Sequence, residues 1–326
     1  MAIKLADTTF ATPVFLAPMA GITDLPFRNL VQGFGAGLVV SEMVASQEMV
    51  QARAGTRERA ELGIGVANTA VQIAGREASW MAEAARMVEA DGARIIDINM
   101  GCPAKKVVNG YSGSALLRDL DHALGLIEAV VGAVSIPVTL KTRLGWDDAL
   151  HNAPELAARA EAAGIQMITI HGRTRCQFYK GQADWAAIAA VKAAVNIPVV
   201  ANGDITNTAR ARDALAASGA DGVMVGRGIQ GAPWLLAQIA AGLAGQAEPE
   251  APTGAALAEI ACTHYEATLA FYGADLGARV VRKHLGWYMD RAATPRDLRR
   301  EVLTKSEPKQ VLALLPDALT SQKEAA

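Results

Sequence analysis

Eight short runs of apolar, β-branched residues recur through the first two thirds of the chain. They lie at Val14 to Leu16, Leu38 to Val40, Val71 to Ile73, Ile95 to Ile98, Pro137 to Leu140, Met167 to Ile170, Pro198 to Ala201 and Gly222 to Val225. Ala-rich stretches with helical spacing separate many of them: Ser79 to Ala90, Asp119 to Ala133, Ala153 to Ala163, Ala183 to Ala194 and Thr206 to Ala217. Strands alternating with helices imply βαβ units and therefore a parallel sheet. The pairs Gly92-Ala93, Ala163-Gly164 and Gly219-Ala220 stand where a helix needs a left-handed residue before the next strand. A doubly wound open sheet is the alternative, but eight such units ending near Arg227 fit a closed (β/α)8 TIM barrel of the α/β class better.

The remainder of the 326 residues is too short for a second domain of equal size. After Gly245 the stretch GQAEPEAPTG is rich in Pro, Glu and Gly, and from Ala255 the pattern is helical to about Leu319 with no strand signal. The expected organisation is a barrel over residues 1–245, a linker over 246–254 and a small all-helical C-terminal domain over 255–326.

With 51% hydrophobic and 20% charged residues the chain is an ordinary folded enzyme rather than a disordered one. Its longest apolar run, Ile188 to Val200, is broken by Lys192, Asn196 and Pro198, so no membrane span is expected. The start MAIKLADTTF lacks the apolar stretch of a signal peptide, which points to the cytoplasm. Cys102, Cys176 and Cys262 are too few and too scattered for a disulfide framework or a tetrahedral metal site, so no metal is expected. Nothing in the sequence requires a protein partner or more than a monomer.

A net charge of -2 gives no overall attraction for nucleic acid, so an RNA partner would need a local basic patch. The tail supplies one: Leu276 to Lys309 carries Arg279, Arg282, Lys283, Arg291, Arg296, Arg299, Arg300, Lys305 and Lys309 against four acidic residues, an excess of five. Trp287 and Tyr288 beside it could stack on bases, although two aromatics in a helix more often belong to a core.

Barrel active sites form where strands end at the C-terminal rim. Strand one runs into APMAGITD, strand three carries Gln72, and strand four ends in DINMGCP. Strands five to eight end in KTRLGW, HGRTR, ANGDI and VGRG. An amide, a thiol, a cation and an imidazole therefore converge with a glycine-rich anion site. Loops after strands seven and eight commonly bind phosphate, and Gly203, Gly226, Arg227 and Gly228 would supply backbone N–H groups and one guanidinium. Lys141 at the end of an inward-facing strand is costly to bury unless it meets an anion. Cys102 has no neighbouring His motif and no CxxC, so a protonated thiol able to act as an acid suits it better than a nucleophile, although an isolated Cys is more often a small buried hydrophobe.

The strings APMAGITD, INMGCPAKKV, GSALLRD, KTRLGW, TIHGRTRCQFYKGQADW, VVANGDI and GVMVGRGIQGAPW resemble the tRNA-dihydrouridine synthase family. The HGRTRCQFYKG loop and the RKHLGWY segment are most similar to bacterial B-type members, including proteins once named as nitrogen-regulation factors. The resemblance implies an FMN cofactor, NADPH or NADH as reductant, and tRNA as the partner whose uridine is reduced. It places Pro18, Met19 and Ala20 beside the flavin ring and brings Gln72 and Lys141 into contact with FMN. His171, Asn202, Gly203, Asp204, Gly226 and Arg227 fall to the ribityl and phosphate region. Cys102 is the implied proton donor and Asn99 faces the target base. From their charge and place in the chain, Lys105 and Lys106 beside Cys102 could bring RNA phosphates inward, and Arg282 and Lys283 of the basic tail could hold tRNA. On this reading a barrel ending at the linker holds flavin by itself, provided the tail leaves its core uncovered. A small-molecule FMN barrel of the dihydroorotate dehydrogenase type would have no use for the basic tail. An RNA-binding module without catalysis would have no use for Cys102 and Lys141.

Overall fold

The computed structural model of the chain describes residues 2–51, 60 and 68–320. At its centre eight parallel strands close into a ring: Val14–Leu16, Leu38–Val40, Thr69–Ala74, Ile96–Met100, Val138–Arg143, Ile168–His171, Val199–Asn202 and Gly222–Val225, here strands one to eight. Strand eight lies beside strand one, with Val225 opposite Leu16, and strand two beside strand three, with Val39 opposite Thr69. With helices around it, this is the TIM barrel expected from the repeat of strand and helix.

Successive side chains of a strand point to opposite faces, and in a closed barrel those faces are outside and inside. Outward-facing Leu16, Val39, Ile73, Ile98, Leu140, Ile170 and Val225 pack against the helices in one continuous core. Inward-facing Phe15, Leu38, Val40, Ala70, Val200 and Met224 fill the N-terminal half of the interior. A hairpin that no sequence signal announced closes that end: Ile3–Leu5 pairs antiparallel with Thr8–Phe10, and Ile3, Leu5 and Phe10 join the interior cluster. Its turn places Ala6 at φ 49 without the Asn-Gly or Asp-Gly pair that marks a tight hairpin in sequence.

Going towards the C-terminal rim, the inner positions change character. Gln72 follows Ala70, Lys141 follows Thr139, His171 follows Thr169 and Asn202 follows Val200. The barrel therefore has an apolar floor and a polar mouth.

Local signals fix the helices that follow the strands. Asp24 caps Leu25–Gly33 through the Phe27 amide, Asn207 caps Thr208–Ser218 through the Arg210 amide, and Gly219 ends the latter helix at φ 65. The helix expected from Ala183 begins only at Ile188. The Ala183 and Asp184 amides are taken by the Asp204 carboxylate and the Gly172 carbonyl, which holds that stretch extended against strand six.

Beyond the linker come the helices Gly254–Tyr272, Ala274–Arg291, Arg296–Thr304 and Pro308–Thr320. They share the barrel's outer core. The ring of Phe27 lies 5.5 Å from that of His264 and 4.8 Å from that of His284. Arg291 sits 5.5 Å above the Trp234 ring, and Gly231 is packed so closely that a β-carbon there would lie 2.6 Å from the Trp287 carbonyl oxygen. The tail thus covers one side of the barrel. Among the described residues no helix is long and apolar enough to cross a membrane.

Candidate active site

Parallel register carries the polar residues of strands three to seven to one level of the mouth. Asp97 stands opposite Thr139, Asn99 opposite Lys141, and His171 opposite both Arg143 and Asn202. Gln72 donates through Nε2 to Asp97 Oδ2 at 2.6 Å, and its Oε1 accepts from Asn99 Nδ2 at 2.8 Å. Thr139 donates to the other oxygen of Asp97 at 2.6 Å. Burial pushes the Asp97 carboxyl up, while the bonds from Thr139 and Gln72 and the charge of Lys141 pull it back. Asp97 thus fixes which way round the Gln72 amide faces.

Lys141 donates to Asn202 Oδ1 at 3.1 Å, and Asn202 in turn donates to the Met224 carbonyl. Burial, then the charge of Arg143, lower the Lys141 ammonium to about 8, against the opposing pull of Asp97 and Cys102. A half-buried cation held below its ordinary value, with an amide oxygen as its hydrogen-bond partner, fits an anionic ligand in the mouth. His171 is held neutral, well below its ordinary value, by burial and by Arg143, Lys141, Arg173 and Arg227 around it.

Cys102 hangs from three anchors. Asn99 Oδ1 accepts from the Gly101 and Cys102 amides at 3.2 and 3.0 Å. The Cys102 carbonyl accepts from the Ser114 hydroxyl at 2.9 Å, and Arg143 Nε donates to the Gly101 carbonyl at 2.8 Å. Gly113, at φ 60, leaves room for this loop: a β-carbon would lie 2.8 Å from the Cys102 carbonyl oxygen. The thiol lies within electrostatic reach of Lys141 and Arg143. Arg143 also donates to the Thr174 and Phe178 carbonyls, and its own burial brings it down to about 10. One guanidinium therefore ties the Cys102 loop to the loop after strand six.

Across the mouth, Arg173 grips Asp204 with two bonds of 2.9 and 2.7 Å. Burial alone would raise the Asp204 carboxyl, but bonds from Arg173 and the Ala183 amide, with the Arg227 charge, hold it below the usual carboxylate range. Arg227 is exposed, 3.8 Å from Asp204, with its guanidinium 4.6 Å over the Tyr179 ring. Gly203, at φ 116, sits where a β-carbon would meet the His171 ring at 2.8 Å, so only glycine fits. At Gly226 a β-carbon would meet only Ala17 and Met19, at 3.8 and 3.9 Å, leaving an open corner between the loops after strands one and eight.

The structure gathers Met19, Gln72, Lys141, Asn202, Gly203 and Gly226 around the mouth with Cys102 at its edge, and sets Pro18 and Ala20 on the strand-one loop. The Asn99 amide holds Gln72 through Nδ2 and the Cys102 loop through Oδ1, so besides its expected place at the target base it positions both. Lys105 and Lys106 are exposed beside that loop. Arg282 lies on the tail near Tyr265, whereas the tip of Lys283 reaches the strand-one loop. Asp97, Arg143 and Arg173 escaped the sequence reading. Strict alternation would have pointed to Asp97, two residues before Asn99, but no local signal pairs Arg173 with an aspartate 31 positions on.

A closed barrel with an apolar floor, a cationic polar mouth and a glycine-rich corner after strands seven and eight is a TIM-barrel enzyme scaffold. The likeness to known proteins narrows the class. Residues 15–324 match the family described as Dihydrouridine synthase (Dus). A probable tRNA-dihydrouridine synthase of Rhodobacter capsulatus is 63% identical over the whole of both chains. One of Rickettsia conorii is 51% identical over 99% of this chain and 98% of its own. The tRNA-dihydrouridine synthase B of Xanthomonas campestris is 45% identical over 97% of this chain and 95% of its own. Among solved structures, morphinone reductase in complex with tetrahydroNAD matches with a TM-score of 0.54 over 76% of this chain and 91% of its own, at 16% identity, a likeness of fold. The chain belongs to the dihydrouridine synthase family.

Proposed function

We propose that the protein is a flavin-dependent oxidoreductase that reduces a uridine of tRNA to 5,6-dihydrouridine. The observation that carries this reading is Cys102, a lone thiol hung from Asn99, Ser114 and Arg143 at the edge of a mouth whose wall holds the under-compensated cation Lys141. The donor set suits FMN: Gln72 and Lys141 face the ring, Asn202, Gly203, Gly226 and Arg227 line the way to its phosphate, and Pro18 to Ala20 lie along one side. His171 and Asp204 shape this path from behind, His171 by filling the space beside Gly203 and Asp204 by bracing Arg173 and Arg227.

When bound, FMN would relay a hydride from NADPH to C6 of the uridine. The chain's own groups do the rest. Lys141 offsets the negative charge that gathers at the ring edge. Cys102 Sγ gives its proton to C5 on the adjoining position, which completes the saturated bond. The base must leave its stack to reach the mouth, and Lys105, Lys106 and the basic tail around Arg282 hold the surrounding phosphates while it does. The barrel carries the chemistry and residues 255–326 carry much of the grip on tRNA, a substrate met in the cytoplasm.

Purified protein given FMN, NADPH and unmodified tRNA is expected to produce dihydrouridine, read by mass spectrometry of the digested RNA. Production of none, with a free pyrimidine reduced instead, would favour a small-molecule barrel. Arg227→Ala should weaken FMN binding by about 1.5 to 3 kcal/mol, the scale of a charged hydrogen bond, as titrated by flavin fluorescence. Unchanged affinity would move the phosphate elsewhere.

Lys141 adds a pH dependence whose sign is fixed. Its folded value of about 8 lies below the ordinary 10.5. The unfolded chain therefore holds the extra proton across that window, and the burial penalty, full below 8, is relieved as pH rises. For an anionic ligand the sense is opposite: affinity for reduced FMN should fall as pH rises through about 8, because the free protein loses its cation there. Lys141→Met should abolish that step, and an unaltered step in the variant would assign it to another group.

A further inference from the structure

The basic residues of the tail were expected to meet RNA as a set, yet the structure separates them. Lys283, on the helix Ala274–Arg291, turns back to the barrel: a β-carbon at Gly21 would lie only 3.1 Å from its Nζ. Gly21 adopts φ 72 and follows directly on Pro18, Met19 and Ala20. Its amide donates to the carboxylate of Glu42 at the end of strand two. Asp24, buried at the end of the same loop, caps the next helix through Phe27, and its charge bears on Tyr272 of the tail.

We infer that Lys283 is a positioning residue for the flavin site, pinning the Pro18–Gly21 loop between the helical tail and the acidic pair Asp24 and Glu42. The inference rests on the flavin reading above. The geometry gives it two supports. Lys283 and Trp287 are one helical turn apart on the same face. Lys283 meets the loop after strand one, and the Trp287 backbone meets Gly231 in the loop after strand eight. Both loops border the open corner at Gly226, where Ala17 and Met19 approach. A single tail helix thus bridges the two walls of that corner, and a displacement of the helix by bound RNA would be felt there.

The charges around the pin give it a signature. Asp24 stands at about 6, raised chiefly by burial and also by Glu42, and lowered by the Phe27 amide, Arg28 and Lys283. Tyr272 and Tyr288 face it from the two tail helices, and the neighbouring His264 and His284 are held neutral by burial. Lys283 is therefore the tail's own cation acting on Asp24. Removing it lets the Asp24 carboxyl rise further, so a process that needs the carboxylate fails at a higher pH than before.

The test uses full-length, tRNA-free protein with FMN and NADPH as probes, comparing wild type, Lys283→Met and Lys283→Arg. Lys283 is exposed, so its replacement spares the core, and equal melting temperatures verify this. Lys283→Met is expected to weaken FMN binding or slow flavin reduction by about fivefold to tenfold. Because the Asp24 carboxylate caps the helix that ends the strand-one loop, FMN affinity should fall as that carboxylate is protonated, and in Lys283→Met this acid limb should come at higher pH; Lys283→Arg should restore both. Wild-type protein that binds FMN, alongside a Lys283→Met variant with the same affinity, reduction rate and acid limb, would overturn the pin while leaving the flavin reading intact. Wild-type protein that binds no FMN would overturn both.

Discussion

Cys102→Ala is expected to keep its FMN and the reduction of that FMN by NADPH, but to lose about 100-fold or more in uridine reduction, the usual contribution of a positioned acid. The structure makes this separation sharp. The Cys102 loop is held by its backbone, through Asn99, Ser114 and Arg143, and none of those bonds uses the thiol. Loss of the sulfur should therefore leave the loop in place and leave the mouth around Lys141 and Gln72 undisturbed. The measurement is single-turnover reaction of pre-reduced enzyme with tRNA, followed by flavin reoxidation in the absence of oxygen. Near-normal turnover would remove Cys102 from the mechanism. Asn99 acts on the same step indirectly, because its side chain carries the Gly101 and Cys102 amides.

A chain ending at Gly245 should fail to hold flavin. The expectation from sequence was a barrel that stays yellow by itself, on condition that the tail leaves its core uncovered, and the helices cover it. Truncation would strip His264 and His284 from the buried Phe27 and Arg291 from Trp234, and would bare the Gly231 loop. Exposing Phe27 alone forfeits about 1.5 to 3 kcal/mol, a large share of the ~5 to 15 kcal/mol that a domain has to spare. The same cut removes Lys283 from the strand-one loop. Gel filtration with absorbance at the flavin band measures both effects, and a monodisperse yellow barrel would show that the tail serves RNA alone.

The barrel was legible because a strand buried on its outer face and a helix packed over it need apolar residues at fixed periods, and those periods survive in any one-dimensional record of the chain. The helix-ending Gly219 and the capping Asp24 and Asn207 are equally local, since each acts on groups a few residues away. The rim residues Gln72, Lys141, His171 and Asn202 could be placed for a similar reason: each lies inward-facing in the C-terminal half of its strand, the half that builds a barrel's mouth.

The N-terminal hairpin escaped because its turn at Ala6 is stabilised by what the strands bury, not by the residues of the turn. The stretch from Ala183 to Ala187 has helical composition but is claimed by Asp204 and Gly172, partners brought up by strands six and seven. What the sequence by itself determined was the closed barrel, its polar mouth and the lone thiol, all products of local period and strand-end chemistry. Only the tertiary structure decided that Arg173 braces Asp204, that Arg143 ties the Cys102 loop to the loop after strand six, and that Lys283 faces the barrel. Such pairings depend on where distant backbone segments meet, and charge composition carries no record of direction.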